Sequence, residues 1–385
     1  MKTNNKVLIN AISIRTGGSE TFLRNIIPLV TNLLPDFSFF LIIRSPKDAY
    51  YQNLGKNVKI IEVNESKVGS PIKRLYFEHV IIPSYHLKFH TTIHWQMDEI
   101  LSPFLLFFRA KMIATFHTTP MVFLKNLTND GLVSVLYMKV MRLITSHIAD
   151  IAVCVSFHAK AELTGIYPSI INRTTVIYHG VNDSLFKPGQ PDTAIISKYG
   201  IRKKYLLSIS NRFVWKNYYR LVQAFLLFHK YQELRDYDLI LVGESKNHDE
   251  EQRINDYIKN NGIADFVKLL SFVDHSELHN FYKGAQAYVF PSLEETFGLT
   301  LLEAMASEIP VACSSWGVLP EIAGSAAAYF NPLDPEDICK TLCDVCLNVQ
   351  LRNELIRIGK SQIKRFTWSN CATAYASIIK GFADF

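Results

Sequence analysis

Glu295 and Glu303 are the residues of this chain whose type and spacing first indicate chemistry, because they stand eight positions apart across a strand-to-helix turn. They belong to "SLEETFGLTLLEAM", which follows the apolar strand pattern "AYVFPS". At about 3.6 residues per turn, Glu303 falls roughly one turn inside the predicted helix, among leucines. Burial of an unpaired carboxylate is costly, so Glu303 is predicted to be a paired, partly buried acid, with an exposed helix residue as the alternative.

The loop after Glu295 ends where that helix begins. The backbone amides around Phe297, Gly298 and Leu299 therefore have no partner within the helix, and they carry the positive end of its dipole. In open parallel sheets, ligands bind beyond the carboxyl ends of the strands. The pattern favours an anionic ligand at this turn.

A second strand-to-helix loop, "SNRFVWKN", carries Arg212 and Lys216. One guanidinium and one ammonium at the carboxyl end of a strand can hold a diphosphate from two sides. Two solvated cations are the more frequent outcome for such a loop when it is taken alone. Both interpretations stay open on the residues themselves.

Gly17 and Gly18 follow the first apolar strand, "VLINAISI", and His117 ends another, "KMIATFH". Glycines let the backbone approach a ligand closely, and the amides of the following helix favour an anion; a plain tight turn is the alternative. A polar residue that ends a buried strand is either functional or a satisfied histidine at the core boundary. The glycine pair lacks the G-x-G-x-x-G spacing, so a nicotinamide or flavin enzyme is not indicated.

Short apolar strands alternate with helical patterns along the chain, which predicts α/β domains built on parallel sheets. The alternation restarts after "DSLFKPGQPDT", a polar stretch with two prolines and a glycine that suits a linker. We therefore predict two Rossmann-like, doubly wound parallel-sheet domains that face a central cleft. The first spans residues 1–186 and the second spans residues 187–365.

The composition is that of an ordinary globular protein, with 48% hydrophobic and 20% charged residues. No apolar run reaches the ~18 residues of a membrane-spanning helix, and six cysteines without an export signal or framework spacing suit a reduced, cytoplasmic protein. Residues 1–186 hold 19 Lys and Arg against 12 Asp and Glu, or +7, out of a formal charge of +6 for the chain. That excess suits an anionic partner of the first half, and equally a solvated surface.

The ordered series of these segments resembles the family 4 retaining glycosyltransferases. "SLEETFGLTLLEAMASEIPVACSSWGVLPEIAG" is similar to their Glu-x7-Glu signature, and "TGGSETFLRNIIP", "ATFHTT", "VIYHGVN" and "ELHNFYKGAQAYVFPS" extend the likeness along most of the chain. The resemblance implies the GT-B architecture, in which the first domain, 1–186, binds the acceptor and the second, 187–365, binds the nucleotide sugar. A last helix, here 366–385, would cross back to the first domain. The resemblance also implies transfer of a hexose from a nucleoside diphosphate sugar, such as GDP-mannose or a UDP-sugar, without a bound metal or other cofactor.

Carried over by position, the resemblance implies that Arg212 and Lys216 neutralise the diphosphate of the donor. The Phe297–Leu299 amides and the loop at Gly17 and Gly18 would bracket the phosphates. This chain has one residue fewer between Arg212 and Lys216 than many members of the family.

The resemblance further implies that Glu303 binds the ribose hydroxyls, that Glu295 binds hydroxyls of the transferred sugar, and that His117 lies beside the sugar at the reaction centre. The departing diphosphate would accept the proton of the acceptor on the same face, so that the configuration is retained without a separate general base. "GVLPE" at 317–321 resembles a branch that is rich in mannosyltransferases.

The expected acceptor is a glycan or a lipid-linked glycan of cell-surface polysaccharide or glycolipid synthesis. Lys67, Lys73, Arg74 and Lys88 stand among aromatic residues, and "LSPFLLFFRAK" is strongly apolar. These features suit an anionic membrane surface contacted through the first domain, which would make the protein peripheral on the inner face of the membrane, and they equally suit buried helix faces.

Two further interpretations compete with a glycosyltransferase. A GT-B-fold nucleotide-sugar epimerase or hydrolase would act on the donor alone, and a non-catalytic subunit would bind the nucleotide sugar without turnover. A nucleic-acid partner is not expected, because the basic residues form no RNA- or DNA-binding motif.

Overall fold

The computed structural model describes residues 5–14, 17–44, 54–68, 70–117, 132–274 and 276–383. The chain divides into two units. One combines Met1–Gly180 with Trp368–Phe385, and the other is Val181–Thr367. The boundaries expected from the sequence are 186/187 and 365/366.

The first unit contains a seven-stranded parallel sheet in the order β3-β2-β1-β4-β5-β6-β7, as far as the described residues show it. Its strands are β1 Lys6–Asn10, β2 Ser38–Arg44, β3 Val58–Val63, β4 Ile93–Gln96, β5 Lys111–Phe116, β6 Ile151–Cys154 and β7 Thr174–Val176.

The α-helices of this unit are Gly18–Leu33, Glu65–Val68, Pro71–Tyr76, Ile82–Phe89, Leu132–Ile148, Phe157–Ile166 and Trp368–Ala383. The π-turn Phe77–Ile81 joins two of them, and Pro103–Phe108 and Pro168–Arg173 are 3-10 helices. The last helix packs on the sheet of this unit, because the Tyr375 ring stacks on Trp95 of β4 at 4.7 Å. Among the described residues, no helix is both long enough and apolar enough to cross a membrane.

The second unit contains a six-stranded parallel sheet in the order β10-β9-β8-β11-β12-β13. Its strands are β8 Lys204–Ile209, β9 Tyr237–Val242, β10 Val267–Leu270, β11 Ala287–Phe290, β12 Val311–Ser314 and β13 Ala327–Phe330. Its α-helices are Thr193–Lys198, Tyr218–Phe228, His248–Asn260, Leu278–Gly284, Leu299–Ala306, Leu319–Ala323, Pro335–Leu347 and Val349–Gln362. Its 3-10 helices are Val214–Lys216, Gln232–Leu234, Gly324–Ala326 and Ile363–Arg365.

The strand order of each sheet reverses beside its first strand. In the first unit β1 pairs with both β2 and β4, and in the second unit β8 pairs with both β9 and β11. Such reversals are the points where open parallel sheets bind ligands, because the loops on the two sides diverge there. The prediction of two doubly wound α/β domains is confirmed.

Candidate functional site

The switch point of the second sheet brings two predicted loops together. Strand β8 leads into loop 210–217 and β11 leads into loop 291–298, and the two strands are neighbours in the sheet. The loops are also joined directly, because the Leu293 amide donates a hydrogen bond of 2.8 Å to the Trp215 carbonyl. Residues 78 positions apart along the chain therefore meet at one edge.

Lys216 and Glu295 form an ion pair at this edge. The Ser292 hydroxyl donates a 2.9 Å hydrogen bond to the same carboxylate. The side chains of Lys216 and Glu295 retain 17% and 12% of their exposure, so the pair is largely shielded but can still be reached. An ammonium held in such a place can bind an anionic ligand more strongly than a solvated lysine can.

The helix Leu299–Ala306 begins immediately after this loop. Gly298 has a left-handed backbone with φ of 93°, a conformation that strongly favours glycine at this position. A Cβ there would also lie 3.3 Å from atoms of Leu319 and Phe290. The first amides of the helix, predicted to favour an anion, thus begin at the same edge as Lys216.

Glu303 lies one turn inside that helix and is partly buried. The Tyr282 hydroxyl donates a 2.7 Å hydrogen bond to its carboxylate. Burial raises the pKa of Glu303 to about 7, and the Tyr282 hydrogen bond opposes that rise by stabilising the ionised form. The carboxylate has the polar partner that the sequence requires, and it has the capacity to accept further hydrogen bonds.

Arg212 is hydrogen-bonded to other parts of the second unit in this structure. Its side chain is only 2% exposed, and its Nε and Nη2 donate to the Glu251 carboxylate at 2.6 and 2.9 Å. Its Nη1 donates to the Gly243 carbonyl, so the guanidinium holds the loop after β9 to the loop after β8. Its role as a diphosphate ligand stays a prediction, and in this structure the group is fully engaged elsewhere.

His117 follows β5 at the carboxyl edge of the first sheet. Its ring packs edge-on against Phe22 and His179, with centroids 4.8 and 5.3 Å away. Burial lowers the pKa of His117 to about 4, against the opposing effect of a hydrogen bond with the Met97 backbone. Its Nε2 has no hydrogen-bond partner among the described residues, so a neutral imidazole with one ring nitrogen available lies at this edge.

Gly17 and Gly18 lie at the start of the helix Gly18–Leu33, after β1. Gly17 has φ of 77° and ψ of −150°, a backbone that other residues rarely adopt. A Cβ added there would meet nothing within 4 Å, so the glycine is required by the backbone conformation and not by crowding.

Three residues of the second unit bind the predicted site residues or hold their loops in place. The sequence patterns do not predict any of the three. Glu251 pairs with Arg212, and Tyr282 bonds Glu303. Asn217 has a left-handed backbone and donates through Nδ2 to the carbonyls of Pro291 and Pro332, which ties three loops together. The signal for Asn217 was its place before a helix, since Asn tolerates that conformation better than most residues.

Comparison with known proteins agrees with this arrangement. Residues 191–362 match the family described as Glycosyl transferases group 1. The second unit belongs to the group 1 glycosyltransferases. The predicted resemblance to family 4 is thereby confirmed.

Two curated relatives resemble the chain over about half its length. Mannosyltransferase B of the Escherichia coli O-antigen chain is 31% identical over 180 residues, which are 46% of this chain and 46% of the relative. Mannosylfructose-phosphate synthase of Agrobacterium fabrum is 27% identical over 210 residues, 52% of this chain and 46% of the relative. The chain therefore spans about half the length of these curated relatives.

Solved structures extend the likeness to both units. Sucrose-phosphate synthase from Thermosynechococcus elongatus has a TM-score of 0.77 at 18% identity, covering 98% of each chain. Anabaena Alr3699/HepE, in complex with UDP and glucose, has a TM-score of 0.75 at 15% identity, covering 98% of this chain and 99% of the other. These likenesses confirm the predicted GT-B fold.

Proposed function

We propose that the protein is a retaining, metal-independent glycosyltransferase that moves a hexose from a nucleoside diphosphate sugar to a glycan or lipid-linked acceptor in polysaccharide synthesis. The observation that carries the proposal is the convergence of Lys216, Glu295 and the helix start at Leu299 on the switch point of the second sheet. Each is a group that a sugar diphosphate can use: a cation, an acceptor of hydroxyl hydrogen bonds and the first amides of a helix.

The proposed reaction breaks the bond between the anomeric carbon and the diphosphate, which leaves an oxocarbenium-like sugar and a growing negative charge. Lys216 and the amides at Phe297–Leu299 are aimed at that charge before the reaction begins, so they lower the barrier without reorganising. The diphosphate then accepts the proton of the acceptor hydroxyl on the same face. This sequence needs no separate general base and no metal ion.

His117 suits a place beside the sugar because it is neutral. With its pKa near 4, the imidazole carries no charge at physiological pH, and a cation there would oppose the positive charge that develops on the sugar. In the same scheme Glu303 accepts hydrogen bonds from the ribose and Glu295 from the transferred sugar.

The first donor to test is GDP-mannose, because a mannosyltransferase that is 31% identical over 180 residues is among the relatives of the chain. The protein would be incubated with GDP-mannose, UDP-glucose and UDP-galactose, with and without EDTA. Acceptors would be methyl α-mannoside, octyl α-mannoside and a bacterial lipid extract. We expect nucleotide release that depends on acceptor and resists EDTA, and an NMR spectrum of the product in which the donor's anomeric configuration is kept.

Charge reversal at the site provides the decisive variant. Lys216→Glu should abolish transfer, whereas Lys340→Glu, at an exposed position of the helix Pro335–Leu347, should leave it unchanged. Full activity of the Lys216 variant, or release without acceptor at the full rate, would contradict the proposal. The second outcome would favour a hydrolase or epimerase.

We also propose that the first unit contacts an anionic membrane surface. The run Pro71–Phe89 and the 3-10 helix Pro103–Phe108 pack beside each other, with His86 stacked on Phe108 at 5.9 Å. They expose large apolar side chains at Ile72, Tyr76, Val80, Leu87, Phe104, Leu106 and Phe107. Exposed lysines and an arginine stand among them, at Lys67, Lys73, Lys88 and Arg109. Apolar side chains among cations match the headgroup region of an anionic bilayer.

Vesicle sedimentation tests this contact. Binding should be stronger to phosphatidylglycerol vesicles than to phosphatidylcholine vesicles, and should fall with added salt. Phe107→Asp should weaken it, whereas Phe272→Asp, at a similarly exposed phenylalanine of the second unit, should not. Equal binding to both kinds of vesicle would contradict the proposal.

A further inference from the structure

The switch point of the first sheet carries a polar cluster that the donor site does not use. Ser13 follows β1 and Asp98 follows β4, the two strands between which the strand order reverses. Arg74 and Glu78 reach the same place from the helical run Pro71–Phe89. We call these four residues the Glu78 cluster.

The cluster is built around a buried carboxylate. Glu78 is only 7% exposed, and the Arg74 Nε donates to its Oε1 at 2.8 Å. The Arg74 Nη2 donates to the Ser13 hydroxyl at 2.9 Å, which fixes the guanidinium across the loop after β1. An exposed i,i+4 pair of this kind contributes little to stability, but here a nearly buried acid is held against the ligand edge of the sheet.

Glu78 belongs to a local distortion of its helix. Residues Phe77–Ile81 form a π-turn, a rare widening that is frequent at functional sites. The next residue, His79, bonds the Tyr137 hydroxyl through Nε2 at 2.9 Å. Its Nδ1 is shielded from solvent and has no hydrogen-bond partner among the described residues. The π-turn therefore contains an acid and an imidazole at consecutive positions, Glu78 and His79.

A chain of hydrogen-bonded, buried polar groups ends on one carboxylate oxygen of Asp98. The Thr91 hydroxyl bonds His86, His86 bonds His94 at 3.0 Å, and His94 bonds Gln96 at 2.9 Å. The Gln96 amide then donates to the Asp98 Oδ1 at 2.6 Å. Polar groups in a core are costly unless all are paired, so a chain that ends on one carboxylate oxygen fixes that side chain firmly.

The two carboxylate oxygens of Asp98 differ in their hydrogen bonds. Its Oδ1 also accepts from the Ile100 amide at 3.0 Å, whereas its Oδ2 accepts no hydrogen bond from any described residue. Asp98 lies close enough to Glu78 for its charge to raise the pKa of that carboxyl, with burial as the larger cause. The like charges of the two acids oppose each other, and hydroxyl groups that donate to both carboxylates would relieve that repulsion.

We propose that the Glu78 cluster binds the hydroxyl groups of the saccharide acceptor, with Glu78 and Asp98 as hydrogen-bond acceptors and Arg74 as a donor. A polyol matches the cluster because each of its hydroxyls both donates and accepts, whereas an anionic ligand would meet two carboxylates. The inference rests on the proposed function, since an acceptor site has meaning only for a transferase.

The test separates acceptor-dependent transfer from hydrolysis of the donor without acceptor. Glu78→Gln and Asp98→Asn would be compared with wild type, using the donor and acceptor of the panel above that give the wild type its highest rate. Asp150→Asn is the control, because that acid forms a partly exposed ion pair with Lys111 at the opposite edge of the same sheet. The apparent KM for acceptor should rise about tenfold or more in each cluster variant, as expected for one lost hydrogen bond to a charged group.

The rate of donor hydrolysis without acceptor should stay at the wild-type value in all three variants, which also shows that they are folded. An unchanged acceptor KM in both cluster variants would overturn the inference. Equal losses of hydrolysis and transfer would also overturn it, because the cluster would then support the fold or the donor. A wild-type protein that releases nucleotide from no donor would instead contradict the proposed function itself, and the acceptor site with it.

Discussion

Replacing Glu303 by Gln should stabilise the ligand-free protein at high pH while weakening nucleotide binding. The carboxyl has an ordinary pKa of 4.5 and a pKa of about 7 in the folded protein, because burial disfavours its charge. The shift of roughly 2.5 units corresponds to about 3 kcal/mol, at about 1.4 kcal/mol per unit. Since the side chain keeps some contact with solvent, we expect about 2 to 3 kcal/mol.

The direction of the pH dependence of stability follows from which state, folded or unfolded, binds the proton more tightly. A raised pKa means that the folded state holds the proton better than the unfolded chain does, so the contribution of Glu303 to stability is complete below pH 4.5. It is lost as the pH rises from 4.5 to 7 and stays lost above 7. Glutamine does not titrate, so the stability of the Glu303→Gln variant relative to the wild type should increase as the pH rises from 4.5 to 7.

Urea unfolding at pH 5 and pH 8 measures the effect. The free energy of unfolding of the variant, minus that of the wild type, should increase by about 2 kcal/mol from pH 5 to pH 8. Glu308→Gln is the control, because Glu308 forms an ion pair with Lys360 outside the site and its loss should not produce this increase. A difference between variant and wild type that is independent of pH would refute the reasoning.

Nucleotide binding gives a second readout of the same group. Ribose hydroxyls donate to the ionised carboxylate, so a bound nucleoside diphosphate should lower the pKa of Glu303 and release protons near pH 6.5. Calorimetry in two buffers of different ionisation enthalpy counts those protons. The Glu303→Gln variant should release fewer than the wild type, and any titration of the nucleotide's own phosphate is common to both.

Three other substitutions probe the loops of the second unit. Lys216→Met should lower the affinity for a nucleoside diphosphate at least tenfold and flatten its dependence on salt, as measured by equilibrium titration. Arg212→Ala should lower the free energy of unfolding by about 3 kcal/mol, because Glu251 loses its partner, and urea unfolding would show it. Gly243→Ala should lower the melting temperature, since the new Cβ would lie 2.1 Å from the Ser210 carbonyl oxygen at a φ of 140°.

The sequence predicts the long apolar strands well and the short ones poorly. The predicted strands "FSFFLIIR" and "YDLILVGE" coincide with β2 and β9 except for one residue at the start of the first and two at the end of the second, and both observed strands are largely buried. Strand β4, "IHWQ", escaped prediction because it alternates apolar and polar residues although all four are buried. Its His94 and Gln96 satisfy each other by hydrogen bonds, a pairing that periodicity cannot reveal. Strand β7 has only three residues, too few for a pattern.

The position of a residue after a strand predicts the site residues but not their partners. Lys216 and Glu295 each follow an apolar run, which predicts that both lie at the ligand edge. Their contact depends on β11 lying next to β8, which no local pattern states. The pairing of Arg212 with Glu251 likewise depends on β9 lying on the other side of β8. Sheet order, which is set by packing of the whole domain, decides which polar residues meet.

The two cations of the predicted diphosphate site differ in how easily a ligand can recruit them. The guanidinium of Arg212 makes three hydrogen bonds to two protein groups and is almost unexposed, so moving it toward a phosphate leaves a carboxylate and a carbonyl unpaired. Lys216 has one carboxylate partner, Glu295, which also keeps its bond from the Ser292 hydroxyl. An ammonium has three donors, so Lys216 can turn toward a diphosphate at a smaller cost.

That exchange would also change Glu295. Once Lys216 turns toward phosphate, its ion pair with Glu295 is broken. The Glu295 carboxylate can then accept hydrogen bonds from the hydroxyls of the sugar. Binding of the diphosphate and recognition of the sugar are then coupled through one ion pair. A nucleoside diphosphate without its sugar would leave the Glu295 charge poorly compensated, so under the proposed function the complete donor gains more from this site than its two halves gain separately.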